Sequence, residues 1–247
     1  MIVVAHVSDT HIDGGPRATE RAERVMRHID GLRVDAVIVT GDIADHGAPD
    51  EYEIAREILT TRHPTIICPG NHDARGPFRK VLLDGDGSDP VNQVLRVGPV
   101  SLLLADSSIP GRAEGRLDES TLAWLDQTLA DTPGKAFVGM HHQASSLHSP
   151  YVDGIGLRNP GDLADVLGRH SNVVAVFSGH AHTAAATTFA GLPLLVGPGV
   201  VSTGLTPYES DDRIPVAMEQ PPGFALHIYD GEHLVTHYRV VPHQTST

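Results

Sequence analysis

The sequence predicts an α/β fold. Short runs of β-forming apolar residues alternate with helix-like segments, and the apolar runs are nearly continuous, as in strands covered on both faces. A chain of 247 residues with 40% hydrophobic content is also long enough to bury one large core. In order, Ile2 to Val7, Ala36 to Thr40, Thr65 to Pro69, Ser101 to Ala105, Ala136 to Met140 and Val173 to Ser178 read as buried strands. Between them Ala18 to Leu32, Pro49 to Thr60, Asp118 to Leu129 and Pro160 to Arg169 read as helices, three of them opened by Pro or an acidic residue. The C-terminal third changes character. Thr183 to Phe189, Leu192 to Val196, Phe224 to Tyr229 and His233 to Val241 read as antiparallel strands of a second sheet, with Asp230-Gly231 as a hairpin turn. Residues 200–223 carry Pro207, Pro215, Pro221 and Pro222 and are too long for an ordinary connection, so they should cover a pocket or form an oligomer contact. Repeats, low-complexity tracts and linkers are absent from the sequence, which predicts a single domain over residues 1–247.

A net charge of -13 argues against a nonspecific nucleic-acid or anionic-membrane binder, because both need clustered Lys and Arg. The single cysteine, Cys68, rules out an intrachain disulfide and sits in an apolar run, as a small buried hydrophobe does. Met1 precedes only a short apolar run with no basic leader, and no stretch approaches the roughly 20 residues of a membrane span. A cytoplasmic protein is expected.

Five short signatures close the apolar runs: Asp9-Thr10-His11, Gly41-Asp42, Gly70-Asn71-His72-Asp73, His141-His142 and Gly179-His180-Ala181-His182. Each alone is weak, but in open α/β sheets ligands gather at the carboxyl ends of strands, and all five lie there. Asp9, His11, Asp42, Asn71, His141, His180 and His182 offer carboxylate, amide and imidazole donors without a thiolate, a set suited to Mn, Fe, Co or Zn. Seven donors exceed one tetrahedral ion and suit two ions roughly 3.5 to 4 Å apart, bridged by one carboxylate, for which Asp42 is the choice. The i, i+2 spacing of Asp9 with His11 and of His180 with His182 puts each pair on one side of an extended backbone, and Gly41, Gly70 and Gly179 permit tight turns.

Two divalent ions against two carboxylates leave about two positive charges, reduced to about one by a bridging hydroxide, so an anion should dock there. Lowering the pKa of a bound water to about 7 gives a nucleophile without a Ser, Cys or Asp attacking group, and phosphoester hydrolysis follows. His72, beside Asn71, is the candidate proton donor to the leaving alkoxide.

These motifs resemble the calcineurin-like metallophosphoesterase superfamily, whose pattern is D-x-H, GD, GNH(D/E), H and GHxH. Within it they are most similar to bacterial class III cyclic nucleotide phosphodiesterases and their glycerophosphodiesterase relatives. The resemblance implies a four-layer α/β/β/α sandwich of two mixed sheets flanked by helices. It implies that Asp9, His11, Asp42 and His182 hold one metal and that Asp42, Asn71, His141 and His180 hold the other. It also implies that His72 contacts the phosphate, that Asp73 orients the His72 imidazole, and that a homodimer is a reasonable assembly. The expected activity is hydrolysis of a small phosphodiester, a 3',5'- or 2',3'-cyclic nucleotide first. The alternatives are phosphomonoesterase or glycerophosphodiesterase activity and, more distantly, a non-catalytic metal-binding scaffold. Relatives often carry two prolines where this chain has Gln143-Ala144. That change opens a segment, residues 143–158 with His148, Tyr151 and Asp153, expected to cap the metals.

Other readings compete residue by residue. Asp, Asn and Gly at strand ends also serve as turn formers. His141 and His142 point to opposite sides of an extended backbone, so only one can face the metals; the resemblance favours His141. His28, His63, His170 and His243 read as surface residues, Asp45 and His46 as helix capping before Pro49 in preference to a further ligand pair, and Asp211-Asp212 as a solvated loop. Arg75 and Arg116 read equally as phosphate contacts or exposed salt bridges.

Overall fold

The computed structural model describes residues 1–242; His243 lies outside them. The chain begins with β1 (Ile2–Val7), α1 (Pro16–Asp30), β2 (Ala36–Thr40), α2 (Pro49–Leu59), β3 (Thr65–Cys68) and α3 (Arg75–Leu82). It continues through β4 (Gln93–Val97), β5 (Val100–Leu104), α4 (Glu119–Ala130), β6 (Lys135–Gly139), α5 (Pro150–Gly154), α6 (Pro160–Leu167) and β7 (Val173–Ser178). It closes with β8 (Ala185–Phe189), β9 (Leu192–Val196), β10 (Thr203–Gly204), β11 (Val216–Ala217), β12 (Gly223–Tyr229) and β13 (Leu234–Val240).

Two mixed sheets form, ordered β13-β12-β1-β2-β3 and β4-β5-β6-β7-β9-β8. The C-terminal strands do not make a sheet of their own, as the sequence suggested. The β12–β13 hairpin adds antiparallel to β1, while β9 adds parallel to β7 with β8 outside it. Adding to an existing edge satisfies backbone groups that a separate small sheet would leave exposed.

The alternation of side chains along each strand builds the layers. On β1 and β2, Val4, Ala36 and Ile38 face Leu102, Leu104, Phe137 and Phe177 of the second sheet. Their neighbours Ala5, Val7, Val37 and Val39 face Val25 and Ile29 of α1 and Tyr52 of α2. On the far side, Val138 and Val176 meet Leu125 of α4 and Leu163 of α6. The result is the α/β/β/α sandwich. Each fully buried aliphatic side chain contributes about 1.5–3 kcal/mol relative to exposure. The parallel strands β1, β2, β3, β6 and β7 send their C-terminal loops to one rim, where the signatures lie.

Candidate metal centre

Backbone hydrogen bonds strap these loops together before any side chain acts. The Asp9 N–H donates to the Gly41 carbonyl at 3.1 Å, that of His11 to Asp42 at 2.9 Å, and that of Gly179 to His141 at 2.9 Å. Of the eight non-glycine residues with positive φ among those described, five are candidate ligands: Asp9 (57°), His11 (43°), Asp42 (47°), His180 (67°) and His182 (52°). Each bent backbone turns its side chain inward. Convergence of Asp9 with His11 and of His180 with His182 therefore comes from left-handed turns, not from strand alternation, and this strain is kept only because the surrounding loops fix it. Gly41 is itself left-handed at φ 90°, and a Cβ there would meet His141 Nδ1 at 2.6 Å. Gly70 serves close approach instead of a turn: its φ is ordinary, and a Cβ would overlap the Asp42 carboxylate.

All seven predicted donors meet. His11 Nε2 and His141 Nε2 stand 3.4 Å and 3.3 Å from the same Asp42 oxygen, Oδ2. His182 Nε2 is 3.4 Å from Asp9 Oδ1 and 3.1 Å from His11 Nε2. Asn71 Oδ1 lies 3.1 Å from His141 Nε2, and His180 Nδ1 lies 3.2 Å from the same nitrogen. The outer ring nitrogens are engaged behind them: His11 Nδ1 with Asp45 Oδ1 at 2.8 Å, His141 Nδ1 with the Thr40 carbonyl at 2.7 Å, His182 Nδ1 with Ser202 Oγ at 2.7 Å. A nitrogen donating outward leaves its partner nitrogen's lone pair facing inward, the state a metal ligand needs.

Electrostatics favour cations here. Burial opposes ionisation of Asp42, yet His141 and His11 hold it well below the usual carboxylate range. Burial likewise opposes protonation of His141, but Asp42 pushes it up to about 9. Burial lowers His180 and His182. Positive charge is thus drawn to a closed group of buried oxygens and nitrogens. His180 Nε2 is buried without a hydrogen-bond partner, and His11 Nε2 and His182 Nε2 stand 3.1 Å apart. Buried imidazole nitrogens clustered with the Asp9 and Asp42 carboxylates, one of those nitrogens unpartnered, fit a pair of divalent ions.

Three second-rank assignments differ from the sequence reading. Asp73 does not touch His72; its carboxylate accepts from the backbone N–H of Gly70 (2.8 Å), Ala44 (3.0 Å) and Ile43 (3.1 Å) and from the Tyr52 hydroxyl (3.0 Å). It therefore pins two ligand loops, and burial together with Asp42 pushes it up to about 6. The His72 imidazole instead donates from Nδ1 to the Asp45 carbonyl at 2.7 Å. Asp45 is not a helix cap: its carboxylate supports His11, while Glu51 makes the capping bond to Ala48 N–H at 3.1 Å. Asp153 folds back on Ser146 and Leu147, and exposed His148 does not line the metal cavity, so of that trio only Tyr151 does.

His142 packs beside His141 and His180, but its ring nitrogens are engaged elsewhere, Nδ1 2.8 Å from Ser107 Oγ and Nε2 3.2 Å from the Ala113 carbonyl. His28 is exposed, and His63 and His170 are part-buried, His170 bonded to Asp126 at 2.6 Å. Arg75 is tied to Asp106 at 2.8 Å, and neither Arg75 nor Arg116 lines the cavity. Ser202 and Asp45 were missed as supports. Asp45 follows Asp42 by three residues and could have been found from that spacing, whereas Ser202 carries no sequence signal.

A family model described as calcineurin-like phosphoesterase matches residues 2–184. The chain is 33% identical over 258 positions to a glycerophosphodiester phosphodiesterase, GpdQ, of Enterobacter lignolyticus, covering 98% of this chain and 92% of that one. It is 35% identical over 208 positions to a probable cyclic nucleotide phosphodiesterase of Rhodococcus erythropolis, covering 78% and 69%. Among solved structures, a dimetal phosphatase of Danio rerio superposes with a TM-score of 0.75 at 16% identity, covering 98% of this chain and 96% of that one. At that identity the likeness concerns the fold alone.

Proposed function

The chain belongs to the calcineurin-like phosphoesterase family, and on that premise we propose that it is a two-metal phosphodiesterase acting on a small phosphodiester, a cyclic nucleotide first. The observation that carries this reading is the convergence of seven oxygen and nitrogen donors from five strand ends, with His11, Asp42, Asn71, His180 and His182 lining one cavity. When bound, two ions from among Mn, Fe, Zn and Co supply Lewis acidity and a nucleophilic water at neutral pH. Asp9, His11 and His182 would hold one ion and Asn71, His141 and His180 the other, with Asp42 available to both. His72 lines the cavity and, with Nδ1 committed to Asp45, presents Nε2 to a phosphoryl oxygen and protonates the leaving alkoxide.

The test is hydrolysis of bis-p-nitrophenyl phosphate against p-nitrophenyl phosphate by metal-stripped protein reloaded with Mn, followed by 3',5'- and 2',3'-cyclic AMP. A diester preference supports the reading, together with a fall of about a hundredfold or more in His72→Ala for cyclic AMP, whose leaving alkoxide needs the proton. A monoester preference makes the protein a phosphomonoesterase, and a metal-loaded protein inert to all phosphoesters makes it a scaffold. Glycerophosphodiesters are the second reading, favoured by the near full-length similarity to the Enterobacter enzyme. The buried free thiol of Cys68 fits a reducing cytoplasm, and a homodimer is the assembly we expect. Among the described residues no helix is long and apolar enough to cross a membrane.

A further inference from the structure

Two segments outside the ligand loops wall the cavity in front of His11, Asp42, Asn71 and His72. Residues 149–155, which include α5, contribute Tyr151, Val152 and Ile155, and the hairpin of β10 and β11 contributes Leu205, Ile214 and Val216. No Lys, Arg or Glu lines this cavity, and its one carboxylate is that of Asp42. Tyr151, Ile214 and Val216 remain 40%, 53% and 40% exposed. Single exposed apolar residues are ordinary, but several converging on one cavity beside a polar centre mark a binding surface.

The walls are anchored at their roots. Gln143 donates from Nε2 to the Val152 carbonyl at 3.1 Å, and its own backbone carbonyl accepts from Leu157 N–H at 3.1 Å. On the hairpin side, Arg21 donates to the carbonyls of Val200 (2.8 Å) and Gln220 (2.7 Å). Arg17 donates to those of Val201 (2.8 Å) and Met218.

Resting on the phosphodiesterase reading above, we infer that these walls form a pocket for an uncharged apolar or aromatic ester group of the substrate, with Tyr151 and Ile214 as specificity-determining residues. The cavity measures about 250 Å³, enough for a group of aryl or nucleoside size. A charged headgroup would be desolvated against apolar walls with no counter-charge, and on the walls outside the ligand loops a polyol would find only the Ser149 and Tyr151 hydroxyls as side-chain partners. Beyond Tyr151 and Pro215 lies a second cavity lined by Asp211, Asp212 and Arg213, so the apolar compartment ends at that threshold.

Two alkyl esters with one leaving group isolate the pocket: p-nitrophenyl benzyl phosphate and p-nitrophenyl methyl phosphate. We expect the benzyl-to-methyl ratio of kcat/KM to be about ten or more, expressed in KM, and to fall toward one in Ile214→Asp and Tyr151→Ala. Tyr208→Ala serves as control: Tyr208 is 90% exposed on the same hairpin and lines neither cavity, so its ratio should match wild type. Calorimetric titration of metal-loaded protein with benzylphosphonate and methylphosphonate reads the same preference without turnover. A wild-type ratio near one, or a ratio unchanged in Ile214→Asp, overturns the pocket while leaving the phosphodiesterase intact. Hydrolysis of neither ester overturns the phosphodiesterase reading, and the phosphonate titration then decides the pocket alone. A dimer that dissociates in Ile214→Asp with its ratio kept assigns this face to a second copy of the chain and also overturns the pocket.

Discussion

Asp45 supports two imidazoles at once: its carboxylate is 2.8 Å from His11 Nδ1, and its carbonyl accepts from His72 Nδ1 at 2.7 Å. Removing the carboxylate frees the His11 ring to rotate and to change tautomer, so Asp45→Ala should weaken metal affinity by about 10- to 100-fold, measured by competition with a chromogenic chelator. Affinity equal to wild type would show that the loops alone orient His11. Gly70→Ala tests close approach in the same way. Its Cβ would overlap the Asp42 carboxylate, and we expect a stability loss of about 1–3 kcal/mol by urea titration together with loss of metal. Residue chemistry was legible in the sequence because five signatures with metal-ligand donors close successive strands; any one of them alone reads as an ordinary turn. The supports were not: Ser202 lies twenty residues from His182 and meets it only through the path of the loop after β9.

Strands and helices were readable where the apolar period was strong, and β1, β2 and β7 keep the bounds that the sequence implied. α3 and β4 escaped notice because each buries little apolar surface: Phe78 is the one buried residue of α3, and β4 alternates half-buried with exposed positions at a sheet edge. The left-handed loops were invisible to a pattern that assumes extended chain. Between the elements runs a buried hydrogen-bond chain that the sequence did not disclose. Thr236 of β13 lies 2.8 Å from His227 Nδ1, His227 Nε2 lies 3.1 Å from His6 Nδ1, and His6 Nε2 lies 2.8 Å from Thr40 Oγ1. Burial pushes His6 down to about 3, whereas in the unfolded chain it titrates near 6.5. The unfolded state therefore takes up the proton first. The contribution of neutral His6 is complete above pH 6.5 and is lost as pH falls from 6.5 toward 3, by up to about 1.4 kcal/mol per pH unit. Urea unfolding of metal-free protein at pH 7.5, 6.5 and 5.5 should show that decline, and His6→Gln should make it shallower without abolishing it, because burial also lowers His142, His180, His182 and His227; a slope identical in both proteins would remove His6 as a source.

At the scale of the molecule, the centre joins the two sheets: Asp9, His11, Asp42 and Asn71 follow strands of the first, while His141, His180 and His182 follow strands of the second. Ions bound there tie one sheet to the other and favour the folded state by mass action. A free metal concentration a hundred times its dissociation constant adds about 2.7 kcal/mol, so chelation should lower the melting temperature by several degrees in a chain of this size. The sheet order itself was not legible, because pairing of β12 with β1 across the length of the chain is set by three-dimensional edges and not by local pattern.

The number of metal ions per chain, measured by plasma mass spectrometry on protein reconstituted with Mn and freed of excess, tests the account at its centre. We expect two ions in the wild type and one or none in Asp42→Ala, since that carboxylate oxygen stands 3.4 Å and 3.3 Å from imidazoles of the two halves. One ion in the wild type, or two retained without Asp42, would contradict a bridged pair.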